Sequence, residues 1–557
     1  MSSKITGIIV LSLFLMFICV LSAGSEELRM APIKTVVEKE LPPGCGFIPP
    51  AKNLPHLNGG KLSPSLSLLA PPESFDWRDS SKVTSVKNQS ICGSCYAFSS
   101  IAGFESRILL DADVAYDFSE NNAKECNYTG TSCDGGNFYD LASLFSQKGV
   151  VLESCDGYVA ADVSCNSSCP YIKTLLGWNI ICTDTVLNDT ILKNYIMTYG
   201  PIYTTMYAGD GDAWATAFNN YNGSYTMYYT GAEATNHAVL IVGWDNSLVH
   251  AGGTGGWIVK NTWGTSWGDN GYFTIAYESA NIGQWSSFVS DWQDFNNNED
   301  IAYYDEAGWT SEFGIGGTSA WGLVSYTPGD DVYLTRVEFW TTDITSDVDI
   351  YVYDSFNGSS LSGLLASELN KSYDEAGYHS VLLSSPPEIS SGNEVFIAIR
   401  FINDSYGYPV AVDYVGPAQP GKTFLSSNGS SWYDMGSDYN VDVAIRARTI
   451  PTFAVSVDED DDLRPYRYGL SYNYPNPFNP LTTINYSLEK RTRVDISVYN
   501  LLGQKVGTLV DEVKPAGEYT TYWDGKDDNG SAVASGVYLY KLETDEYVET
   551  KKMILLK

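Results

Sequence analysis

All ten cysteines of this 557-residue chain lie at or before Cys182, and the remaining two-thirds has none. The first third can therefore be stapled covalently, whereas everything after it must be held by burial alone. Residues 5–21 form an apolar run behind Lys4 and end at the small residues Ser22, Ala23 and Gly24. That run is short for a membrane span and carries cleavage-site chemistry, so residues 1–24 read as a signal peptide. Export permits disulfides. Cys19 leaves with the leader, and Cys45, Cys92, Cys95, Cys126, Cys133, Cys155, Cys165, Cys169 and Cys182 remain. Nine is odd, so at least one thiol stays free, as a nucleophile must.

The chain is too long for one core. Residues 25–70 are rich in Pro and Leu without sustained periodicity, as in a short pro-segment. Residues 71–290 form a Gly-, Trp- and Tyr-rich region. In it Ala97, Ile101, Phe104 and Ile108 share a helical face after Cys95, and 237–244 and 256–261 read as strands. Residues 300–450 alternate in short strands, such as 334–341, 348–353 and 394–401, separated by Asn, Gly, Ser and Pro: a β-sandwich. An acidic linker, 451–467, precedes a small β module at 468–557. Its Asp458–Asp462 block is a solvated run in the first instance, with calcium as the alternative. A net charge of −34 argues against nucleic acid as a partner.

Four ordered blocks carry chemistry. Gln89-Ser90-Ile91-Cys92-Gly93-Ser94-Cys95-Tyr96-Ala97-Phe98-Ser99 follows Phe75-Asp76-Trp77-Arg78, and Asn236-His237-Ala238-Val239 and Lys260-Asn261-Thr262-Trp263-Gly264 come later. Together they resemble the papain family of cysteine peptidases. The resemblance implies an α+β catalytic domain of a helical lobe and a β lobe, with Cys95 as nucleophile and His237 as base. It also implies Asn261 as the residue orienting the histidine and Gln89 as oxyanion donor. The chemistry fits these types: a helix N-terminus and a neighbouring imidazolium both favour a thiolate. Cys95 and His237 are 142 positions apart, inside the usual interval, and Cys95 and Asn261 are 166 apart, lengthened by a Gly-rich insertion at 247–256. Cys133-Asp134-Gly135-Gly136 resembles the family's substrate-backbone segment. Gly93, Gly135, Gly136, Asn137, Phe138, Asn236 and Trp263 are accordingly assigned to substrate binding. Tyr96 departs from the family's tryptophan after the nucleophile, and the pro-segment lacks the long helical pattern of many relatives.

Each residue also has a plainer reading. Cys92 and Cys95 as a metal or redox pair would need a second pair or a histidine cluster, and none accompanies them, so no metal or cofactor is assigned. Of four histidines, His56 lies in the pro-segment, His250 in a Gly-rich loop and His379 in the sandwich, which leaves His237 in a catalytic context. By resemblance Cys92 pairs with Cys133 and Cys126 with Cys165; Cys169 is assigned to Cys182 with no motif behind it. Cys45 is placed in a disulfide with Cys155, tethering the pro-segment. A bond to Cys95 and a reduced thiol are the alternatives.

Ala307-Gly308-Trp309-Thr310 and Trp321-Gly322 resemble the lectin-like domain that follows the peptidase in some prokaryotic relatives, which implies a carbohydrate or cell-surface ligand. Tyr472-Asn473-Tyr474-Pro475-Asn476-Pro477-Phe478-Asn479-Pro480, with Trp523-Asp524-Gly525 and Gly536-Val537-Tyr538, resembles the Ig-like sorting domain of type IX secretion. The resemblance implies the secretion machinery as partner and a bacterial surface or extracellular location. The expectation is a secreted endopeptidase zymogen acting on proteins or peptides through a thioester. The rival is a catalytically silent adhesin on a peptidase scaffold.

Overall fold

The computed structural model describes residues 28–34, 41–52, 54–59, 70–454, 468–471, 473, 476, 478–489, 491–514 and 517–555. The leader at 1–24 and the acidic block at 458–462 lie outside them.

Helix α1, Cys95–Ala112, buries Ala97, Ile101, Phe104 and Ile108 as their spacing requires and stops at Asp113 in the left-handed conformation. Helix α2, Glu120–Cys126, starts on Ser119, whose hydroxyl accepts the Asn122 N–H. Helix α3, Phe138–Gln147, starts on a reciprocal cap: Asn137 accepts from the Tyr139 N–H, and Asp140 accepts from the Asn137 N–H. These helices pack around Phe104, Phe118, Phe138 and Phe145, forming the helical lobe.

The β lobe is a sheet ordered Tyr272–Ala276, Gly253–Lys260, His237–His250, Ile202–Met206, Gln284–Asp294 and Lys173–Ile180. The 247–256 insertion extends two of these strands into a hairpin, pairing Val249 with Thr254 and His250 with Gly253. The sheet does not end at Lys173–Ile180. Ala376–Leu382 pairs with it, Ala376 opposite Ile180 and His379 opposite Gly177, and Val332–Thr341, Ile445–Pro451 and Asp300–Ala302 follow in order. Twelve strands from two domains thus form one sheet. A second, six-stranded sheet, from Leu361–Tyr373 to Tyr433–Asp434, closes the sandwich over a core that includes Leu334, Phe339, Ile350, Ile399 and Ile445.

Side chains seal the same junction. Arg446 bonds Asp305 at 2.8 Å with both side chains fully buried, and it donates to Ser143 and Ser146 on α3 at 3.0 and 2.8 Å. Arg448 donates to the Ser146 carbonyl at 3.0 Å and to Glu338 at 2.8 Å. Two guanidinium groups therefore meet the carbonyl-rich end of α3, where positive charge is favoured. The C-terminal module has its own core around Ile496, Val498, Trp523 and Tyr540, in two sheets that pair with no strand of the other domains among the described residues.

Disulfides join Cys92–Cys133 and Cys126–Cys165, as the resemblance implied, and Cys155–Cys169. Two expectations are corrected. Cys182 does not pair with Cys169, because the eight-residue strand Lys173–Ile180 carries it roughly 26 Å along the sheet. Cys182 instead lies buried, with its thiol donating to the Gly283 carbonyl at 3.0 Å. Cys45 does not pair with Cys155 and keeps its thiol, as do Cys95 and Cys182.

Candidate active site

Cys95 is the first residue of α1, at the end where the unpaired N–H groups concentrate positive potential. Its sulfur accepts the Ala238 N–H at 3.3 Å, so the start of the His237–His250 strand lies directly over the helix end. His237 Nε2 donates to Asn261 Oδ1 at 2.8 Å. Nδ1 of the same ring is buried without a hydrogen-bond partner. Asn261 follows the last residue of Gly253–Lys260, and its Oδ1 also accepts the Thr262 N–H at 2.9 Å, which fixes the amide. Trp263 lies 5.1 Å from the His237 ring and packs on Phe218, so apolar rings screen the His–Asn bond.

Gln89 is fully buried. Its amide nitrogen donates to the Cys92 carbonyl at 2.7 Å, and its carbonyl accepts from the Thr262 hydroxyl. Tyr158, which sequence reasoning missed, donates to the main-chain carbonyl of Gln89 at 2.8 Å and meets the Ser94 hydroxyl at 2.7 Å. No motif marks it; it arrives from a loop tied by Cys155–Cys169.

A segment of the chain itself lies across these residues. Gly46 and Phe47 donate their N–H groups to the Asn236 carbonyl at 3.1 and 3.0 Å. Gly136 donates to the Gly46 carbonyl at 2.9 Å, and Ile48 donates to the Gly136 carbonyl at 3.0 Å, a parallel bridge. Trp263 Nε1 donates to the Gly44 carbonyl at 3.1 Å. Gly93 faces Gly46 so closely that a Cβ on Gly46 would stand 1.7 Å from the Gly93 carbonyl oxygen. Gly135, at φ +107°, leaves room for the Gly46 carbonyl. Gly93, Gly135, Gly136, Asn236 and Trp263 thus all line a groove that holds an extended backbone. Asn137 and Phe138 do not. Asn137 spends its side chain capping α3, and Phe138 is a core ring stacked 5.7 Å from Trp178. Phe47 is buried with its ring 6.1 Å from that of Trp285.

This cover shapes the electrostatics. Burial pushes the Cys95 thiol up to about 12, against the opposing pull of N–H groups from Ala238 and Gly46. Burial likewise pulls His237 down to about 4, against its bond to Asn261. Both shifts disfavour charge, so beneath the segment the pair is neutral thiol and neutral imidazole. Burial and the adjacent Cys95 also push the Cys45 thiol up.

Residues 71–290 match the family described as papain family cysteine protease, 301–449 a lectin like domain and 473–556 a secretion system C-terminal sorting domain. The viral cathepsin of Cydia pomonella granulosis virus is 32% identical over 222 residues, 39% of this chain and 62% of that protein. The viral cathepsin of Lymantria dispar multicapsid nuclear polyhedrosis virus is 33% identical over 37% of this chain and 54% of its own length. The chain thus spans a little over half of the curated relatives it matches. The cysteine protease and lectin-like domains of Cwp84, a surface layer associated protein of Clostridium difficile, superpose with a TM-score of 0.62 at 18% identity. That match covers 77% of this chain and 100% of that one, a likeness of fold. Residues 71–290 therefore belong to the papain family of cysteine proteases, joined in one chain to a lectin-like domain and a secretion sorting domain.

Proposed function

We propose that this chain is a secreted cysteine endopeptidase, made as a zymogen, that hydrolyses peptide bonds of proteins through a thioester. The observation carrying the proposal is Cys95 at the N-terminus of α1 under the His237–Asn261 pair, with residues 44–48 filling the groove. Once the segment leaves, water and helix potential support a thiolate–imidazolium pair. The thiolate adds to a substrate carbonyl, and the oxyanion takes N–H groups from Cys95 and Gln89. His237 gives its proton to the departing amine, leaving the thioester. It then takes a proton from the attacking water, and collapse returns the Cys95 thiolate and the acid.

Residues 25–70 act as the pro-segment, and the C-terminal module directs passage through the secretion machinery to the bacterial surface or medium. No helix among the described residues is long and apolar enough to cross a membrane. Trp321, Tyr351, Tyr353 and Trp432, half-buried on the outer side of the six-stranded sheet, are the platform on which a sugar ring would stack.

Cys95→Ala should abolish hydrolysis of a quenched peptide and labelling by a thiol-directed epoxide while circular dichroism stays that of the parent. Hydrolysis near the parent rate would remove Cys95 from the reaction, and a processed parent that hydrolyses no peptide would favour the adhesin reading.

A further inference from the structure

Beyond the groove, the same segment reaches the junction of the two domains and leaves a cation there. Lys52 is buried, with Nζ 3.6 Å from the ring centre of Tyr139 and 4.1 Å from that of Trp309. Nζ has no hydrogen-bond partner; burial pulls it down to about 7, and the ring faces and nearby carboxylates are what favour its charged form. Those carboxylates are Glu312, Asp140 and Asp413. Tyr139 comes from α3 of the peptidase domain, Trp309 and Glu312 from the lectin-like domain, and Trp309 Nε1 donates to Glu312 at 2.6 Å. Trp340 completes the surround, 5.8 Å from Trp309 and 6.4 Å from Tyr139. The hydroxyl of Tyr139 and the indole N–H of Trp340 are buried and unpartnered.

This cage is built by the mature domains, not by the segment that fills it. Among the described residues its amine comes from 25–70, the part that activation would remove. Burial pushes Glu312 up to about 7 even with Lys52 beside it, and an emptied box would remove the amine that favours its charged form. The occupant it selects is a primary alkylammonium on a flexible stem. The geometry also ties the cage to the groove. Lys52 follows Phe47 by five residues, and Phe47 is the residue bridged to Gly136.

We infer that, in the activated enzyme, the Tyr139–Trp309–Glu312 cage is a distal subsite that takes a lysine side chain of the protein substrate, about five residues from the residue seated at Gly136. The inference rests on the peptidase reading above. It gives the lectin-like domain a share in peptide selection, because neither domain alone encloses the amine.

The first test varies the substrate on the parent chain, so its outcome does not depend on the folding of a variant. Quenched peptides carry one phenylalanine, with lysine, norleucine, acetyl-lysine or glutamate four to six residues away on either side. The processed full chain should cleave the lysine peptide at one spacing with kcat/KM about tenfold above norleucine, with acetyl-lysine no better than norleucine. Fluorescence anisotropy on the Cys95→Ala chain, its pro-segment removed with an added protease, should give the same ordering in Kd. Trp309→Leu should bring the lysine-to-norleucine ratio toward one. Equal kcat/KM and equal Kd across the series overturn the cage while leaving the peptidase reading intact. A lysine preference in Kd without hydrolysis of any peptide supports the cage and defeats the peptidase reading instead.

Discussion

At the scale of single residues, the site is ordered by amide groups as much as by its thiol and imidazole. Thr262 holds the side-chain Oε1 of Gln89 and the Cys92 carbonyl holds its Nε2, while Tyr158 fixes the main-chain carbonyl, so the nitrogen has a fixed direction before any substrate arrives. Gln89→Ala should lower kcat by about 10–1000-fold with little change in alkylation of Cys95, because the lost bond forms mainly in the transition state. Equal kcat values would show that the oxyanion finds its donors elsewhere. The covered thiol makes a second prediction. With Cys95 near 12 and His237 near 4, the unprocessed chain has almost no thiolate at neutral pH. Its reaction with a neutral alkylating agent should rise about tenfold per pH unit through pH 7–10, while the processed chain should react fast and nearly pH-independently there. A processed chain with the same steep profile would mean that the domains, not the segment, desolvate the sulfur. Cys95, His237, Asn261 and Gln89 could be singled out in the sequence because each sits in a contiguous motif. Tyr158 and Lys52 were not, since their roles arise from loops brought together by folding. Asn137 was misread because an Asn after two glycines fits a groove wall as well as a helix cap.

At the scale of elements, residues 46–48 belong to no strand but borrow their hydrogen bonds from Gly136 and Asn236 across a single bridge. Residues N-terminal to the peptidase domain also add Arg29–Met30 to the edge of Ser311–Gly314, and His56 stacks on Tyr406 at 3.5 Å. This stretch is thus anchored on the lectin-like domain and laid across the peptidase groove, which explains why it needs no long helix of its own. Gly46→Val should loosen it, since any Cβ at 46 strikes the Gly93 backbone. The expected result is measurable peptidase activity before processing and a weaker inhibition of the mature enzyme by the isolated segment. Parent-like latency would show that the segment's hold comes from the lectin-like side alone. The sequence marked this stretch only as turn-prone, because the bonds that hold Gly46, Phe47 and Ile48 run to Gly136 and Asn236, far away in the chain. The disulfide partners of Cys155 and Cys182 failed for a related reason: spacing does not reveal that a strand intervenes and carries one of them across the lobe.

At the scale of the whole molecule, the C-terminal module is separable and the lectin-like domain is not. A chain ending at residue 450 should retain hydrolysis at about the parent kcat/KM but stay off the surface of a host with type IX secretion. Normal display of that truncation would rule out the sorting role. Domain order was readable from composition and strand rhythm, but the fusion of two sheets was not. Strand periodicity gives the two faces of a strand and is silent about which strand lies beside it. That shared sheet has a consequence for how the gene can be cut. Removing everything after residue 299 would strip Ala376–Leu382 from Lys173–Ile180, a strand whose eight residues are all buried. Its bare amides would then invite a second copy to pair, so an excised peptidase domain should associate through this border or precipitate. The lectin-like domain is thereby the border's permanent guard, and the two units can be exchanged between proteins only as a pair.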